Sequence, residues 1–181
     1  QVQQAIGRKQ SRDLTAGVVD QLRALDVDAL NFDLLYGLPY QTEQTLSAPL
    51  DAALGMEPSR IALFGYAHVP WMSKRQSLIP SDALPKPEKR LALFDLARRT
   101  LLGRGYVQIG IDHFARPDDA LAKAFYDKRL TRSFQGYTDD TAPYLVGLGA
   151  SAISTYPQGF AQNIPVTGKY AAQVEAGEPA M

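Results

Sequence analysis

Acidic and imidazole side chains accompany apolar segments of this sequence at three places, and these are the groups best suited to chemistry. Asp112 and His113 follow one apolar segment. His68 follows a second, and Asp33 lies within a third. A carboxylate can accept hydrogen bonds from ligand hydroxyls, and an imidazole can exchange a proton or bind a metal. Because loops at strand ends carry the chemistry in many α/β folds, we predict that the three places meet in one site.

Helices and strands must hold these groups in place, and the apolar spacing of the sequence predicts both. Apolar residues at Leu14, Val18 and Leu22 recur with the period of a helix, whereas the run 106–111 is typical of a strand. Strands that alternate with helices favour a parallel sheet with right-handed crossovers. We therefore predict an α/β fold, either half of a (β/α) barrel or part of an open doubly wound sheet. The predicted helices are 11–25, 42–55, 89–102, 117–125 and 167–175, and the predicted strands are the buried 29–36 together with 60–66 and 106–111.

The composition of the sequence argues against several classes of function. The 19 basic and 19 acidic residues cancel, so no overall field attracts nucleic acid or an anionic membrane, and we expect neither partner. No apolar run approaches the roughly 20 residues of a membrane helix, and no export leader is visible, which favours the cytoplasm. The absence of cysteine excludes a disulfide, a thiol nucleophile and a thiolate-bound metal within these residues. The sequence opens at Gln1 inside a helical pattern, so we expect a piece of a longer protein.

Each candidate residue also has a purely structural interpretation. Asp33, within an apolar strand, could accept hydrogen bonds from ligand hydroxyls or could cap a neighbouring turn. His68 and His113 are the only histidines, and together with Asp112 they could bind a metal as in barrel hydrolases. Two histidines and one acid lack a recognisable ligand spacing, however, and histidines that only satisfy structural hydrogen bonds are common.

Three further segments have similar alternatives. The Gly-rich run 147–152 could let its backbone lie against a flat ligand or another strand, or could simply be a turn. The segment 134–138 could present an aromatic face and the amide of Gln135 to a ligand, or could be a packed loop. Arg8 could form a forked pair of hydrogen bonds with a ligand carboxylate, or could be solvated.

Six runs of residues, in order, resemble the oxygen-independent coproporphyrinogen III oxidases, a family of radical S-adenosylmethionine (SAM) enzymes of haem synthesis. They extend across nearly the whole chain. The run FDLLYGLP also suits the related haem-chaperone branch, whereas YAHVP, DHFARPDD and FQGYT resemble the oxidase branch more closely. The matching runs are VQQAIGRKQ, FDLLYGLPYQT, FGYAHVP, GIDHFARPDD, SFQGYT and GLGASAIS.

The resemblance implies a fold and a division of the chain. The family has an incomplete six-unit α/β barrel of the radical SAM type, in which parallel strands alternate with helices. Residues 1–128 would be the C-terminal half of that barrel, and residues 129–181 would be a short extension that leads to a missing C-terminal domain.

The resemblance also implies a reaction, cofactors and partners. A SAM-derived deoxyadenosyl radical would start the oxidative decarboxylation of two propionates of coproporphyrinogen III to vinyl groups, giving protoporphyrinogen IX. The cofactors would be two SAM molecules per site and a 4Fe-4S cluster in the full-length protein. The electron donor and acceptor stay unidentified. We expect the full-length protein to be a cytoplasmic monomer.

Site residues follow from the matching positions. Asp112 and His113 would lie near the SAM pocket of the family. The resemblance assigns no definite role to Arg116. The cysteines that hold the cluster, spaced C-x-x-x-C-x-x-C, are expected upstream of Gln1, so we expect this chain alone to be inactive. The residues that match SAM-binding positions of the family are Arg8, Asp33, Phe64, Ala67, Gln135 and Ile153.

Two rival functions stay open at this point. The first is a haem chaperone of the same superfamily, which would bind haem without decarboxylating a substrate. The second is a metal-dependent barrel hydrolase that uses His68, Asp112 and His113.

Overall fold

The computed structural model describes residues 1–134 and 136–181. They form two compact units, Gln1–Tyr126 and Asp127–Met181. Helices and strands alternate through most of the first unit, as the apolar spacing predicts. This unit contains α1 (Val2–Ala5), α2 (Arg12–Arg23), β1 (Asn31–Tyr36), α3 (Glu43–Leu54), β2 (Arg60–Gly65), α4 (Pro87–Gly103), β3 (Val107–Ile109), β4 (His113–Ala115) and α5 (Ala120–Tyr126), with short 3₁₀ turns at Lys74–Leu78 and Ser81–Ala83.

Side-chain caps begin three of these helices, where the sequence places Ser, Thr and Asp. The Ser11 hydroxyl accepts a hydrogen bond of 3.1 Å from an amide in the first turn of α2. Thr42 and Thr45 form a reciprocal capping box at α3. Asp119 accepts a hydrogen bond of 2.7 Å from the Leu121 amide at the start of α5. Each cap satisfies an amide that a helix leaves unpaired in its first turn.

The strands of the first unit form one sheet in the order β1-β2-β4-β3. β1 and β2 are parallel, from the pair Asn31–Arg60 to the pair Tyr36–Gly65. β4 is antiparallel to both of its neighbours, β2 and β3. The prediction of a wholly parallel sheet is therefore wrong for this part of the chain, and the α/β fold has a mixed sheet.

The antiparallel pairing of β3 and β4 arises at residues 110–112. The apolar spacing predicts a strand end followed by a loop there. Gly110 has a φ of +61°, a conformation that glycine adopts easily, and it opens a tight turn that returns the chain along β3. His113 is therefore the first residue of β4 and not a loop residue. Because Ile109 pairs with His113 across this hairpin, His113 still lies near the carboxyl end of β3.

The hydrophobic core of the first unit lies between one face of the sheet and helices α3 and α4. Ile61, Leu63 and Phe114 are at most 1% exposed and pack with leucines of both helices. Side chains alternate along a strand, so the intervening residues lie on the side that points away from α3 and α4, here called the open face. On β1 the open face leaves Asp33 and Leu35 exposed, which corrects the expectation of a fully buried strand.

Tyr106, just before β3, closes the core at the opposite end of the sheet from the Gly110 turn. Its hydroxyl donates a hydrogen bond of 2.5 Å to the Pro58 carbonyl, and the residue is 8% exposed. Burial raises the pKa of Tyr106 above its ordinary value of 10.0, while Arg116 opposes the shift and Glu57 adds to it. The folded protein therefore keeps this proton at a pH at which the unfolded chain loses it.

We expect stability to fall as the pH rises from about 10, the ordinary pKa of tyrosine, through the higher folded-state pKa of Tyr106. Below that range both states keep the proton, so the contribution is constant. Tyr106→Phe should remove this alkaline loss, and it should lower stability at neutral pH by about 1 kcal/mol because the Pro58 carbonyl loses its donor.

Urea unfolding of the full-length protein, repeated from neutral to alkaline pH, measures both effects of the Tyr106 substitution. Tyr126→Phe is the matched control, because Tyr126 is 64% exposed. An alkaline decline in the Tyr106→Phe variant as steep as that in the control would contradict the assignment.

The second unit contains two antiparallel strand pairs and a helix. Its elements are β5 (Thr131–Ser133), β6 (Gly136–Thr138), β7 (Ile153–Tyr156), β8 (Gly159–Gln162) and α6 (Thr167–Glu175). The helix prediction for residues 167–175 is confirmed, whereas apolar spacing did not predict the β7–β8 pair. Gln135, assigned above to ligand binding, lies outside the described residues. In the part of the chain that the structure describes, no helix is long and apolar enough to cross a bilayer.

Candidate functional site

A cavity of about 770 Å³ lies beside β1, the strand at one edge of the sheet. Its walls come from α1 and the segment after it, from β1 and β2, and from α3. Three residues that the sequence analysis assigns to ligand binding, Arg8, Asp33 and Phe64, lie in its lining. The structure thus brings together side chains from three separate segments of the chain.

Asp33 lies on the open face of β1, directly opposite Ala62 of β2. Its oxygen Oδ1 accepts a hydrogen bond of 2.8 Å from Nδ2 of Asn31. Among the described residues none donates to its second oxygen, Oδ2. A carboxylate held in this way keeps acceptor capacity for the hydroxyl groups of a ligand. The geometry therefore favours ligand binding over the alternative role of capping a turn.

Arg8 follows α1 through a turn in which Gly7 has a φ of +65°. The Arg8 amide donates to the Gln3 carbonyl at 3.0 Å, and the Gln3 side chain bonds the backbone of Gln10 at 2.9 and 3.2 Å. These contacts fold the segment into a compact loop. The Arg8 side chain is exposed and forms no ion pair in the part of the chain that is described. Its guanidinium can therefore meet a ligand carboxylate in a forked geometry.

Phe64 and His113 lie on the same face of the sheet as Asp33. The pairs Asp33–Ala62 and Ala62–His113 form a row across β1, β2 and β4. Phe64, two residues beyond Ala62, meets the His113 ring edge-on with the ring centroids 6.0 Å apart. Adjacent strands are about 4.8 Å apart, and two such spacings separate β1 from β4. The Cα atoms of Asp33 and His113 are therefore roughly 10 Å apart.

Gln41 shapes the loop between β1 and α3, a role that was not predicted from the sequence. The residue is 4% exposed. Its Oε1 accepts hydrogen bonds from the Gly37 amide at 2.6 Å and the Leu38 amide at 3.2 Å, and its Nε2 donates to the Leu35 carbonyl at 3.2 Å. One side chain therefore satisfies three backbone groups beside the cavity. The available signal was an amide side chain directly after a Gly-Leu-Pro turn, because an amide can donate and accept at once.

The loop after β2 carries Ala67 and His68, and neither lines the cavity. Ala67 is exposed. Nδ1 of His68 lies 3.0 Å from the Tyr66 hydroxyl, and Nε2 lies 3.0 Å from the Ser81 hydroxyl. Both ring nitrogens thus have partners within the loop, which favours the interpretation of His68 as a structural histidine.

A metal-hydrolase site would require His68, Asp112 and His113 to converge. Asp112 and His113 do pair, with 2.7 Å between Oδ1 and Nδ1, but His68 is held by its own loop. Within residues 1–134 and 136–181, no three His, Cys, Asp or Glu side chains are grouped so that they could hold a metal ion. The geometry therefore gives this alternative no support.

The RPDD end of the run GIDHFARPDD lies at the opposite end of the strands from His113. Arg116 directly follows β4 and pairs with Asp118 at 3.3 Å, and both line a second cavity of about 570 Å³. Asp119 pairs with Arg60, the first residue of β2, at 2.8 Å. This end of the run therefore anchors α5 to the sheet and does not join the candidate site.

In the second unit, the Gly-rich run 147–152 packs against the start of β7. A Cβ atom at Gly147 would lie 3.0 Å from backbone atoms of Ile153. Nδ2 of Asn163 donates to the carbonyls of Gly147 and Gly149 at 3.1 and 2.9 Å. The run is thus held against another strand, one of the alternatives that the sequence left open, and it adjoins Ile153, which the resemblance assigns to SAM binding.

Gly147→Ala should destabilise the second unit by about 1–3 kcal/mol, because the added methyl group would collide with backbone that cannot move without disturbing β7. Gly168→Ala is the matched control, since nothing lies within 4 Å of a Cβ atom there. Gly168 lies in the first turn of α6 and should tolerate alanine with no loss or with a gain of up to about 1 kcal/mol. Thermal unfolding of the full-length variants measures the change in stability for each substitution. Hydrogen exchange of the β7 and β8 amides locates the change in the second unit. Equal exchange rates in the two variants would show that Gly147 has room for a side chain.

The cavity suits a ligand that combines an amino acid with a nucleoside. Arg8 supplies a cation for a carboxylate, Asp33 supplies an acceptor for hydroxyls, and Phe64 supplies an apolar wall. This donor set fits SAM. An iron–sulfur cluster requires thiolate ligands, and the sequence contains no cysteine, so these residues do not fit a cluster.

The chain is similar to named proteins over nearly its whole length, although no family model matches it. It is 53% identical over 177 residues to an oxygen-independent coproporphyrinogen III oxidase of Paracoccus denitrificans, a match that covers 98% of this chain and 39% of that protein. It is 39% identical over 181 residues to a protein of the same name from Pseudomonas aeruginosa, covering 100% of this chain and 39% of that protein.

A solved structure gives the same result. Coproporphyrinogen III oxidase from Escherichia coli, described as a radical SAM enzyme, matches with a TM-score of 0.92 at 36% identity, over 99% of this chain and 41% of that one. The chain thus spans 39% of the length of the two curated relatives named above. These matches confirm the resemblance drawn from the six sequence runs.

Proposed function

We propose that this chain, which is homologous to a segment of the oxygen-independent coproporphyrinogen III oxidases, forms part of an enzyme of that family. The enzyme would convert two propionates of coproporphyrinogen III to vinyl groups without oxygen, giving protoporphyrinogen IX. The observation that carries the proposal is the meeting of Arg8, Asp33 and Phe64 in one cavity. All three come from runs that resemble the family in sequence, and together their chemistry suits SAM.

Each of these three residues would hold a different part of SAM. Arg8 would bind the carboxylate through its guanidinium, and Asp33 would accept hydrogen bonds from the hydroxyls or the amine. Phe64 would pack against the nucleoside and keep water from it. Gln41 would keep the loop after β1 in the shape that borders this ligand. The resemblance to the family also assigns Ala67, Gln135 and Ile153 to SAM binding.

The chemistry of the reaction would come from the cofactor, and the protein would orient and enclose it. When bound, SAM would supply the radical chemistry that removes one hydrogen atom from a propionate arm, so that loss of carbon dioxide and one electron would leave a vinyl group. The residues around the cavity would hold the two reactants in register and exclude water. The thiolates of a 4Fe-4S cluster would be supplied from outside these 181 residues, because they contain no cysteine.

The proposal also gives each part of the chain a place in the larger protein. Residues 1–128 would belong to the C-terminal half of a radical SAM barrel, and residues 129–181 would form an extension that leads to a further domain. The mixed sheet of the first unit, with two parallel strands beside a β3–β4 hairpin, is compatible with one side of such a barrel.

Anaerobic turnover by the full-length, cluster-loaded protein tests the proposed function. We expect coproporphyrinogen III to be converted to protoporphyrinogen IX only when SAM and a reductant are both present, as followed by chromatography of the oxidised porphyrins. Tight haem binding with no decarboxylation would instead identify a haem chaperone. If the purified protein contained stoichiometric zinc and did not convert the porphyrinogen, the result would favour the metal-dependent hydrolase instead.

A further inference from the structure

Arg90, near the start of α4, carries a positive charge that no acidic side chain of the described residues pairs with. The residue is half-buried, and within residues 1–134 and 136–181 its guanidinium forms neither an ion pair nor a hydrogen bond. The guanidinium lies over the Tyr36 ring, 5.7 Å from the ring centroid. Attraction to an aromatic face holds an arginine in place without using its N–H groups. Arg90 therefore keeps its hydrogen-bond donors for a ligand.

The Tyr36 hydroxyl is a second donor at the same place. The Tyr36 ring packs on Phe94 with the ring centroids 5.5 Å apart, and its hydroxyl has no hydrogen-bond partner among the residues that the structure describes. A Cβ atom at Gly65 would lie 2.6 Å from Nη2 of Arg90 and 2.9 Å from the Tyr36 hydroxyl oxygen. Both polar groups thus lie beside Gly65. The lack of a side chain there makes room for two donors at one place.

The two donors lie next to the SAM cavity but outside its lining. Tyr36 directly follows Leu35, and Gly65 directly follows Phe64. Leu35 and Phe64 line the cavity, whereas Tyr36, Gly65 and Arg90 do not. Consecutive side chains of a strand point to opposite faces, so the donors lie on the α4 side of the sheet, at the carboxyl ends of β1 and β2. A group that they bind is therefore not the part of the ligand that fills the cavity.

A guanidinium and a phenol hydroxyl together suit a carboxylate. The guanidinium can donate two parallel N–H bonds to the carboxylate oxygens, and the hydroxyl can donate a further bond. Hydrogen bonds between charged groups are stronger than those between neutral groups. Because no acidic side chain pairs with Arg90 in the described part of the chain, a bound carboxylate would neutralise the guanidinium and would displace no existing partner.

We propose that Arg90 and Tyr36 bind a carboxylate of the substrate beside the SAM cavity, at the carboxyl ends of β1 and β2. The inference rests on the proposed function, because it takes the substrate to be a macrocycle whose propionate arms end in carboxylates. Arg90 would touch the carboxylate through its guanidinium, and Tyr36 would touch it through its hydroxyl. Gly65 would act indirectly, by leaving room for both donors.

Two binding measurements on the full-length, cluster-loaded protein test this inference. The first follows the affinity for coproporphyrin III, the oxidised analogue of the substrate, by its fluorescence, and the second follows the affinity for SAM by calorimetry. Arg90→Met keeps an apolar stem but removes the charge, so it should weaken porphyrin binding about tenfold. Arg90→Lys keeps the charge but loses the forked donors, so it should weaken porphyrin binding about threefold. Both variants should bind SAM with unchanged affinity.

Two further variants test the hydroxyl and the space beside it. Tyr36→Phe removes only the hydroxyl and should weaken porphyrin binding about threefold. Gly65→Ala should weaken it about threefold to tenfold, because the added methyl group displaces the flexible end of Arg90 from its place over Tyr36. Lys89→Met is the matched control, since it removes the same charge from a neighbouring, exposed residue that has no ion pair in the described ranges. This control should leave both affinities unchanged.

Unchanged porphyrin affinity in the Arg90→Met and Tyr36→Phe variants would overturn the inference and would leave the two residues a packing role. A loss of SAM affinity with unchanged porphyrin affinity would overturn it too, because the bound carboxylate would then belong to SAM. Equal losses of both affinities would also overturn it, since that pattern reports a disturbed fold. So would a loss of porphyrin affinity in Lys89→Met as large as that in Arg90→Met, because it reports a general effect of charge.

Asp33→Asn in the same assays tests the proposed function separately. It should weaken SAM binding and spare porphyrin binding, which is the reverse of the pattern expected for Arg90→Met. Normal SAM binding by the Asp33→Asn variant would count against the proposed SAM site whatever the Arg90 variants do.

Discussion

Asp33→Asn should weaken SAM binding to the full-length protein about 10- to 100-fold, because a hydrogen bond to a charged acceptor contributes about 1.5–3 kcal/mol. Asp33 lies on the open face of β1, and among the described residues only Asn31 bonds to its side chain. Asparagine has nearly the same size, but it places an N–H group where a ligand hydroxyl requires an acceptor. Calorimetric titration of the cluster-loaded protein with SAM measures the change.

A matched control separates the loss of a ligand contact from a general loss of charge. Asp20→Asn removes an exposed carboxylate on α2 that has no side-chain hydrogen bond or ion pair in the described part of the chain. It should leave SAM affinity unchanged. The melting temperature should also be unchanged in both variants, because neither carboxylate is buried. If the Asp33→Asn variant binds SAM as tightly as this control, Asp33 is not a SAM-binding residue.

Asp119→Ala should lower the free energy of unfolding by about 3 kcal/mol, because it breaks a largely buried ion pair and removes a helix cap. The Asp119 side chain is 6% exposed, and its Oδ1 lies 2.8 Å from Nε of Arg60. The same oxygen accepts the Leu121 amide at 2.7 Å where α5 begins. Water can partly solvate the abandoned guanidinium, since Arg60 is 32% exposed, which keeps the loss near the lower end of the range for buried pairs.

Asp118 provides an internal control for this prediction. It precedes Asp119 in the sequence and also pairs with an arginine, Arg116 at 3.3 Å, but its side chain is 74% exposed. Asp118→Ala should therefore cost less than about 1 kcal/mol. Thermal unfolding of both variants, combined with hydrogen exchange of the α5 amides, distinguishes them. Losses of equal size would show that burial of Asp119 is not the cause.

Local patterns in the sequence predicted most of the helices because their signals lie within a few residues. The predicted helix 89–102 corresponds to α4 (Pro87–Gly103), and Thr42 does cap α3. The strand β4 was missed for the same reason. Three residues are too few to show a period, and the Gly110 turn resembles a strand end followed by a loop until its pairing with β3 is seen.

The candidate site was predictable in its residue types and less so in its arrangement. Arg8, Asp33 and Phe64 came from runs that resemble the family, and the structure places them around one cavity. Gln41 was missed because its role depends on backbone groups that converge only when the loop after β1 folds. The RPDD residues belong to the same run as His113, yet β4 carries them to the opposite end of the sheet.

By itself, the sequence determined where most helices and the strands β1, β2 and β3 form, and which side chains have the chemistry to meet a polar ligand, because periodicity, caps and residue types are local properties. Only the tertiary structure decided that β4 separates β2 from β3, that Asp33 and His113 share the open face, and that Asp119 is buried while Asp118 is exposed. Strand pairing and burial depend on contacts between residues far apart in the chain, and no short stretch of sequence contains them.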